Sequence, residues 1–535
     1  MKPILAGLAI ALCAAAQSPL RFEDATKASG IGFVHSFGAQ KLGSLLESTG
    51  SGCAWFDYNN DGRLDLFVAN GRPLAQGIHP YPLRKPPTPL PHSHLYRNDG
   101  NGKFTDVTAS TGLAADLFSF AAAAADIDND GHTDLAVTGY GRLILYRNLG
   151  NGRFEDITAK AGVETGGWSI GAAWLDYDRD GCIDLFVGRY VKFDPKYRSY
   201  YAADNYPGPL DYEGETNRLY RNQCNGTFTD ASEKAGIAPY KGRAMGVTAA
   251  DFDGDGYADI YVANDKTENF LFHNQKNGTF REIAADAGAA FGQNGESTSA
   301  MGPVFVDFDN DGKTDLWVSD SKYNRLLRNV GQTQLRDVTE HAGISQLTAQ
   351  YVSWGTFVED FDNDGHRDIA LIHGGLIHMV PQEHSLFRNL GQGRFEDVSA
   401  QAGPVFDAKT VGRGGCSADY DNDGLLDFYM VNLGSPGVLF HNTSAPKHHW
   451  LAVKLIGRKS NRDGIGAVVE VTAGGRAQTL ERAAGSGYLS QNDPRLHFGL
   501  GSAAKAETVV IRWPSGAVQT LENIPAGRTL TVEEK

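Results

Sequence analysis

The chain has 535 residues, 64 of them glycine, and sets 49 Lys and Arg against 64 Asp and Glu for a formal net charge of −15. That length exceeds one ordinary core and predicts several domains or a repeat array, while the acidic balance excludes nucleic-acid binding through phosphates, which needs a basic surface. Abundant Gly, Asp and Asn without long helical patterns point to a short-stranded β protein whose natural partners are cations.

The N-terminus reads Met1, Lys2, an apolar run over 4–12 and then Ala14, Ala15 and Ala16, the layout of a secretory signal spanning 1–16 and cleaved after Ala16. Cys13 raises a lipoprotein alternative, but Leu12 stands where lipid processing wants a small residue. No other segment reaches the ~18 apolar residues of a membrane span. The mature chain is therefore expected to be secreted, extracellular or periplasmic, where Cys53, Cys182, Cys224 and Cys416 are free to form disulfides.

An acidic loop, D-x-[DN]-x-D-G-x-x-D, then recurs seven times at intervals of 50 to 75 residues. The first places Asp57, Asn59, Asp61 and Asp65 at positions one, three, five and nine, with Arg63 at seven. The second has Asp126, Asp128, Asp130 and Asp134 with His132; the third has Asp176, Asp178, Asp180 and Asp184 with Cys182. The fourth has Asp251, Asp253, Asp255 and Asp259 with Tyr257, and the fifth Asp307, Asp309, Asp311 and Asp315 with Lys313. The sixth has Asp360, Asp362, Asp364 and Asp368 with His366, and the seventh Asp419, Asp421, Asp423 and Asp427 with Leu425. Side-chain oxygens at one, three, five and nine, a backbone carbonyl at seven and a Gly at six that permits the tight turn make a set of hard ligands suited to Ca²⁺. An EF-hand would carry Glu at position twelve; here that position is apolar, as in Val68, Val137 and Val262, and the flanks are strands. The 27 aspartates of these loops repel one another unless cations sit among them, and seven divalent ions would offset nearly all of the formal −15.

Each loop is followed by a strand motif: LYRN at Leu95, Leu145 and Leu219, LFHN at Leu271, LLRN at Leu326, LFRN at Leu386 and LFHN at Leu439. A turn and fourth strand follow six of these motifs, beginning at Asn101, Asn151, Asn225, Asn277, Gln332 and Gln392. The seventh copy is the RFEDAT segment at 21–26, at the other end of the mature chain. The fold class is thus all-β, a seven-bladed propeller over 17–444 closed by its N-terminal strand, which removes an aggregation-prone edge. A small β domain follows over 445–535, with strands expected at 451–455, 467–471, 508–512 and 529–532.

These loops resemble the FG-GAP and VCBS repeats of integrin-α-type propellers. SGIGFVH at 29–35, the repeats and the tail together resemble the cartilage acidic protein family. The tail is similar to an ASPIC/UnbV domain through Ile465-Gly466-Ala467, Gly485-Ser486-Gly487-Tyr488, His497 to Gly501 and Trp513-Pro514-Ser515-Gly516. The resemblance implies a calcium-binding extracellular propeller with one ion per blade.

Cys182 and Cys224 fall on the loop face of one blade and are expected to pair. Cys53 and Cys416 lie in adjacent first strands and are read equally as a bond or as two buried thiols. On the opposite face three connections are long, at 71–93, 188–217 and 373–385. The second carries Tyr197, Tyr200, Tyr201, Tyr206 and Tyr212 with Lys192, Lys196 and Arg198, a mixture suited to a protein or glycan surface, although packing of these aromatics onto the propeller is the favoured reading. His373, His378 and His384, with His92 and His94, would need converging loops to bind a transition metal, and Gly485, Gly487, Gly499 and Gly501 form either a ligand-contacting turn or, the favoured reading, tight corners. No nucleophile elbow or P-loop is present, so a non-catalytic binding or adhesion module leads. A polysaccharide lyase using a Tyr or Lys base, and an accessory role in biosynthesis or export, are the alternatives.

Overall fold

The computed structural model describes residues 20–114, 116–163, 166–199, 207–445 and 448–535. The signal-sequence expectation for 1–16, with Tyr200, Tyr201 and Tyr206, lies outside the described residues. Among the described residues the structure is all-β, seven four-stranded antiparallel sheets recurring along the chain, joined by helices of only four or five residues. In six sheets the strands follow chain order; the remaining one pairs Phe22–Asp24 with Val438–Asn442, in the register Phe22↔Asn442, Glu23↔His441 and Asp24↔Phe440.

The innermost strands are Cys53–Phe56, Phe118–Ala125, Ser169–Leu175, Ala244–Ala250, Ala300–Val306, Ser353–Glu359 and Gly412–Ala418. Each touches the next, and the last touches the first. Their small residues, such as Ala121 to Ala125, permit that close approach at the axis, and larger apolar side chains fill the space between sheets. Both disulfides form: Cys182–Cys224, with a Cα–Cα distance of 5.6 Å, and Cys53–Cys416, at 5.9 Å, which joins the first blade to the last.

The tail holds two sheets around Leu451, Val453, Val469, Phe498, Ile511 and Trp513. His449–Ile456 runs between antiparallel Leu496–Gly501 and parallel Arg528–Glu533, and a second sheet orders Arg476–Glu481, Val468–Ala473, Lys505–Arg512 and Val518–Pro525. Four strands match the expected positions. Arg476–Glu481, Leu496–Gly501 and Val518–Pro525 were not anticipated, because charged or glycine residues interrupt their apolar alternation.

Between the strands ending at Glu481 and starting at Leu496, the chain leaves the tail and enters the propeller axis. The Trp174 N–H donates to the Ala484 carbonyl at 2.8 Å, and Gly487 N–H donates to Pro303 at 2.8 Å. Thr248 bonds the Gly485 carbonyl, and Tyr488 packs edge-on against Trp354 at 5.1 Å. Gln491 pairs through its backbone with Cys53 and Trp55 and brackets Ala124 with its side-chain amide at 2.7 and 3.0 Å; Asn492 accepts from the Ser417 N–H at 3.0 Å. All seven innermost strands are thereby contacted. Gly485 and Gly487 turn as expected, at φ +102° and +67°, and a Cβ on Gly485 would also lie 2.4 Å from the Ala172 carbonyl; the corner expectation is corrected for Gly499, which lies within the strand Leu496–Gly501, where a Cβ would collide with the Asp360 carboxylate.

The turn Leu45–Ser48 fills the axis from the other end. Arg413, whose guanidinium lies 4.0 Å over the Trp354 ring, donates to the Ser48 carbonyl at 2.7 Å.

Candidate metal centres

All seven acidic loops adopt one geometry, set by where backbone N–H groups are free. The position-one carboxylate accepts the N–H of residue six in every loop, as in Asp57 from Gly62 at 2.9 Å and Asp126 from Gly131 at 2.7 Å. Position five accepts from seven, as in Asp61 from Arg63 and Asp255 from Tyr257. The turn needs left-handed backbone at position four as well as six. Asn60, Asn129, Asn310, Asn363 and Asn422 supply it with φ from 57° to 60°.

Position nine begins the second strand and is fully buried: Asp65, Asp134, Asp184, Asp259, Asp315, Asp368 and Asp427 are at most 1% exposed. One of its oxygens always accepts the N–H of the Asn that ends the third-strand motif, from Asn98 to Asp65 at 2.7 Å through Asn442 to Asp427 at 2.6 Å. Each of those Asn side chains then donates to the position-two carbonyl of the preceding blade: Asn148 to Tyr58, Asn222 to Ile127, Asn274 to Tyr177, Asn329 to Phe252, Asn389 to Phe308 and Asn442 to Phe361. Asn98 donates to Tyr420 at 2.8 Å and so completes the ring. The LYRN-type motif is thus more than the strand its alternation predicts. The signal was its last residue, the same in all seven copies, where strand alternation asks for no particular side chain.

The carboxylates converge. Asp126, Asp128 and Asp134 have ligand atoms within 4.8 Å of one another, as do Asp176, Asp178 and Asp184, and Asp251, Asp253 and Asp259. Burial, reinforced by neighbouring carboxylates, pushes Asp65 and Asp315 up to about 8 and Asp126, Asp176 and Asp419 to about 7. Asp134, Asp184, Asp259, Asp360, Asp368 and Asp427 are likewise raised well above the usual carboxylate range by burial.

One observation tests whether a cation fits. The inner oxygens of Asp128, Asp178 and Asp309, all at position three, and one oxygen each of Asp419 and Asp427 are buried without a hydrogen-bond partner. Their outer neighbours are served by Arg147, Arg221 and Arg328 at 2.6 to 2.7 Å. A buried oxygen left without a partner costs about 1–3 kcal/mol, and oxygens orphaned at equivalent positions suit a common hard cation. The remaining first-loop ligand, Asn59, is exposed and bonds Asp61.

The tail domain lies over this face. Asp463 accepts the Asp126 N–H at 2.8 Å and Glu481 the Asp251 N–H at 2.9 Å. Arg476 donates to the Asp364 carbonyl at 2.8 Å, Arg495 to the Asp419 carbonyl at 2.6 Å, and Arg179 of the third loop to the Pro514 carbonyl at 2.6 Å.

Among the described residues, the histidines of the long connections do not assemble a second metal centre. His373 spends its ring nitrogens on Ser353 and Ser385, and His384 on Thr410 and the His373 N–H. His94 is taken by Asp106 at 2.6 Å and stacks on His92.

Models of the FG-GAP-like repeat match residues 57–137, 126–187, 204–262, 251–318 and 307–371, more than half of the chain. The chain belongs to the FG-GAP-like repeat family. Residues 457–535 of this FG-GAP-like protein match the ASPIC and UnbV family, as the tail motifs implied. Cartilage acidic protein 1 of Homo sapiens is 27% identical over 314 residues, covering 57% of this chain and 46% of its own; that of Xenopus tropicalis is 26% identical over 304 residues, covering 55% and 45%. The chain thus matches about half the length of these curated relatives. Among solved structures, YCF48 bound to D1 peptide is 8% identical, covering 80% of this chain and 100% of that one at a TM-score of 0.44. An Agrocybe aegerita lectin recognising non-reducing terminal N-acetylglucosamine is 16% identical, covering 72% and 86% at a TM-score of 0.38.

Proposed function

We propose that this FG-GAP-like protein is a secreted, calcium-stiffened binding module that takes an extracellular protein or glycan on the face opposite its acidic loops. The observation that carries the reading is the division of labour between faces. The tail covers the loop face, and both ends of the axis are filled, leaving the long connections to meet a partner. Those connections, with the N-terminal segment, expose Val34, Leu90, Tyr197, Leu210, Leu376 and Val380, each at least 36% accessible. Exposed apolar side chains on loops anchored to a rigid scaffold are typical of recognition surfaces. Leu74, Ile78, Phe193 and Ile377, from all three long connections, pack against one core cluster, so these loops are held rather than loose.

In this reading up to seven Ca²⁺ ions are structural, each held by positions one, three, five and nine with the position-seven carbonyl, and the propeller presents the opposite face. The two disulfides, and relatives named for cartilage, support an extracellular setting. Among the described residues no helix is long and apolar enough to cross a membrane. Two of the lyase bases offered by the 188–217 connection are already engaged: Lys192 pairs with Glu213 at 2.8 Å, and Tyr212 is 6% exposed within the core.

The test is a glycan and matrix-protein array probed with the mature chain, with and without Ca²⁺. Saturable capture that a Tyr197→Ala, Leu210→Ala double variant weakens supports the reading. Capture indifferent to those changes, or none at all, refutes it.

A further inference from the structure

A second candidate site lies between the domains. A cleft of about 500 Å³ runs between the first two blades and the tail, and Lys454, Arg462, Arg482 and Arg495 line it together with Asp57, Asp126 and Asp463. Its volume is that of a small-ligand site.

The charges in it are not evenly spent. Both oxygens of Asp57 and of Asp126 accept N–H groups of their own loops. Asp463 accepts the Asp126 N–H, and Arg495 is committed to Asp493, Asn422 and the Asp419 carbonyl. Arg482 differs. It is 4% exposed, and among the described residues its guanidinium makes one hydrogen bond, to the carbonyl of its own neighbour Ala483. Asp463 and Asp493 act on it only through space. Guanidinium does not release its proton at any physiological pH, so a buried one must find a counter-charge. Asp463 and Asp493 supply that charge at a distance, but among the described residues no carboxylate touches the Arg482 fork, which leaves its remaining N–H groups open to an acceptor in the cleft. Lys454 and Arg462 stand at the same cleft with no carboxylate of their own among the described ion pairs, and Thr529 adds a hydroxyl to its wall.

We propose that this cleft binds a small oxyanion, a carboxylate, sulfate or phosphate group, with Arg482 as its buried counter-charge and Lys454 and Arg462 at the rim. The group is either a free inorganic anion or the acidic substituent of a sugar.

The mature chain, held in saturating Ca²⁺, is titrated calorimetrically with sodium sulfate, sodium glucuronate and glucose 6-phosphate, each against sodium chloride at matched ionic strength. Saturable one-to-one binding of at least one probe, at a Kd of about 1 mM or below, is expected. Arg482→Gln weakens it by about tenfold or more, the loss of one charge-assisted contact. Sulfate binding alone identifies a free anion, and preference for glucuronate or the sugar phosphate identifies an acidic sugar. A Lys454→Ala, Arg462→Ala variant changes only exposed or half-buried side chains and keeps the test open if Arg482→Gln does not fold; it weakens binding severalfold. Crystals soaked in selenate give an anomalous peak beside Arg482. Responses no larger than those to chloride, or binding unaffected by either variant, overturn the proposal.

Discussion

The Tyr488 hydroxyl donates to the Thr49 carbonyl at 2.9 Å, joining residues 439 positions apart at the centre of the propeller. The tail reaches this point from the acidic-loop face and the Leu45–Ser48 turn from the other, so the axis is closed by two pieces of chain that meet. Tyr488→Phe removes the donor and leaves a buried carbonyl unpaired, at a cost of about 1–3 kcal/mol. Tyr488→Ala also opens a cavity against Trp354 and costs about 3–5 kcal/mol. Denaturant unfolding of the two variants checks the ranking, and equal stability of both with the parent would remove the bond's importance.

Chelation should lower the melting temperature by about 10 °C or more. Each ion bound only by the folded state adds about 2.7 kcal/mol at a hundredfold excess over its Kd, and the orphaned oxygens of Asp128, Asp178 and Asp309 are left uncompensated without it. Differential scanning calorimetry in excess EDTA and after Ca²⁺ restoration makes the measurement. An unchanged transition would show that the acidic loops stand without metal.

The buried carboxylates at positions one and nine give a pH dependence of definite sign. Asp65 and Asp315 are raised to about 8, and Asp126, Asp176 and Asp419 to about 7, in the metal-free fold, against about 3.9 in an unfolded chain. Between those values the folded state holds more protons than the unfolded one, so metal-free stability falls as pH rises from about 4 to about 8. With Ca²⁺ bound the ionised carboxylates are neutralised by the metal and the fall is suppressed. Thermal melts across that range, in EDTA and in Ca²⁺, should diverge as pH rises. Parallel curves would contradict the assignment.

Asn98→Ala tests ring closure. Its side chain donates to Leu64 at 3.1 Å and to Tyr420 of the last blade at 2.8 Å, and their loss costs about 1–3 kcal/mol. Asn148→Ala removes the matching bond between the first two blades and should cost the same, because the seven Asn residues do one job. Urea unfolding of both variants reads the comparison.

Thiol counting checks the covalent part of closure. Ellman titration of denatured, unreduced residues 17–535 should find none of Cys53, Cys182, Cys224 and Cys416 free. One reactive thiol in a Cys53→Ser variant, mapped to Cys416 by labelling and peptide mass analysis, would confirm the Cys53–Cys416 bond.

The sequence by itself determined the repeat, its acidic positions, the long connections and the terminal strand that completes the last sheet. Each is a local pattern copied along one chain: alternation sets the strand, Asp and Gly set the turn, and the missing seventh copy at one end matches RFEDAT at the other. Only the tertiary structure decided which face the tail covers, that residues 484–491 leave that domain for the axis, and that Cys53 bonds Cys416. Those outcomes depend on surfaces that exist only once the ring is closed. That a Cβ on Gly485 would lie 2.4 Å from the Ala172 carbonyl, and that Arg482 is only 4% exposed, follow from the packing of the tail against the ring and from no local pattern.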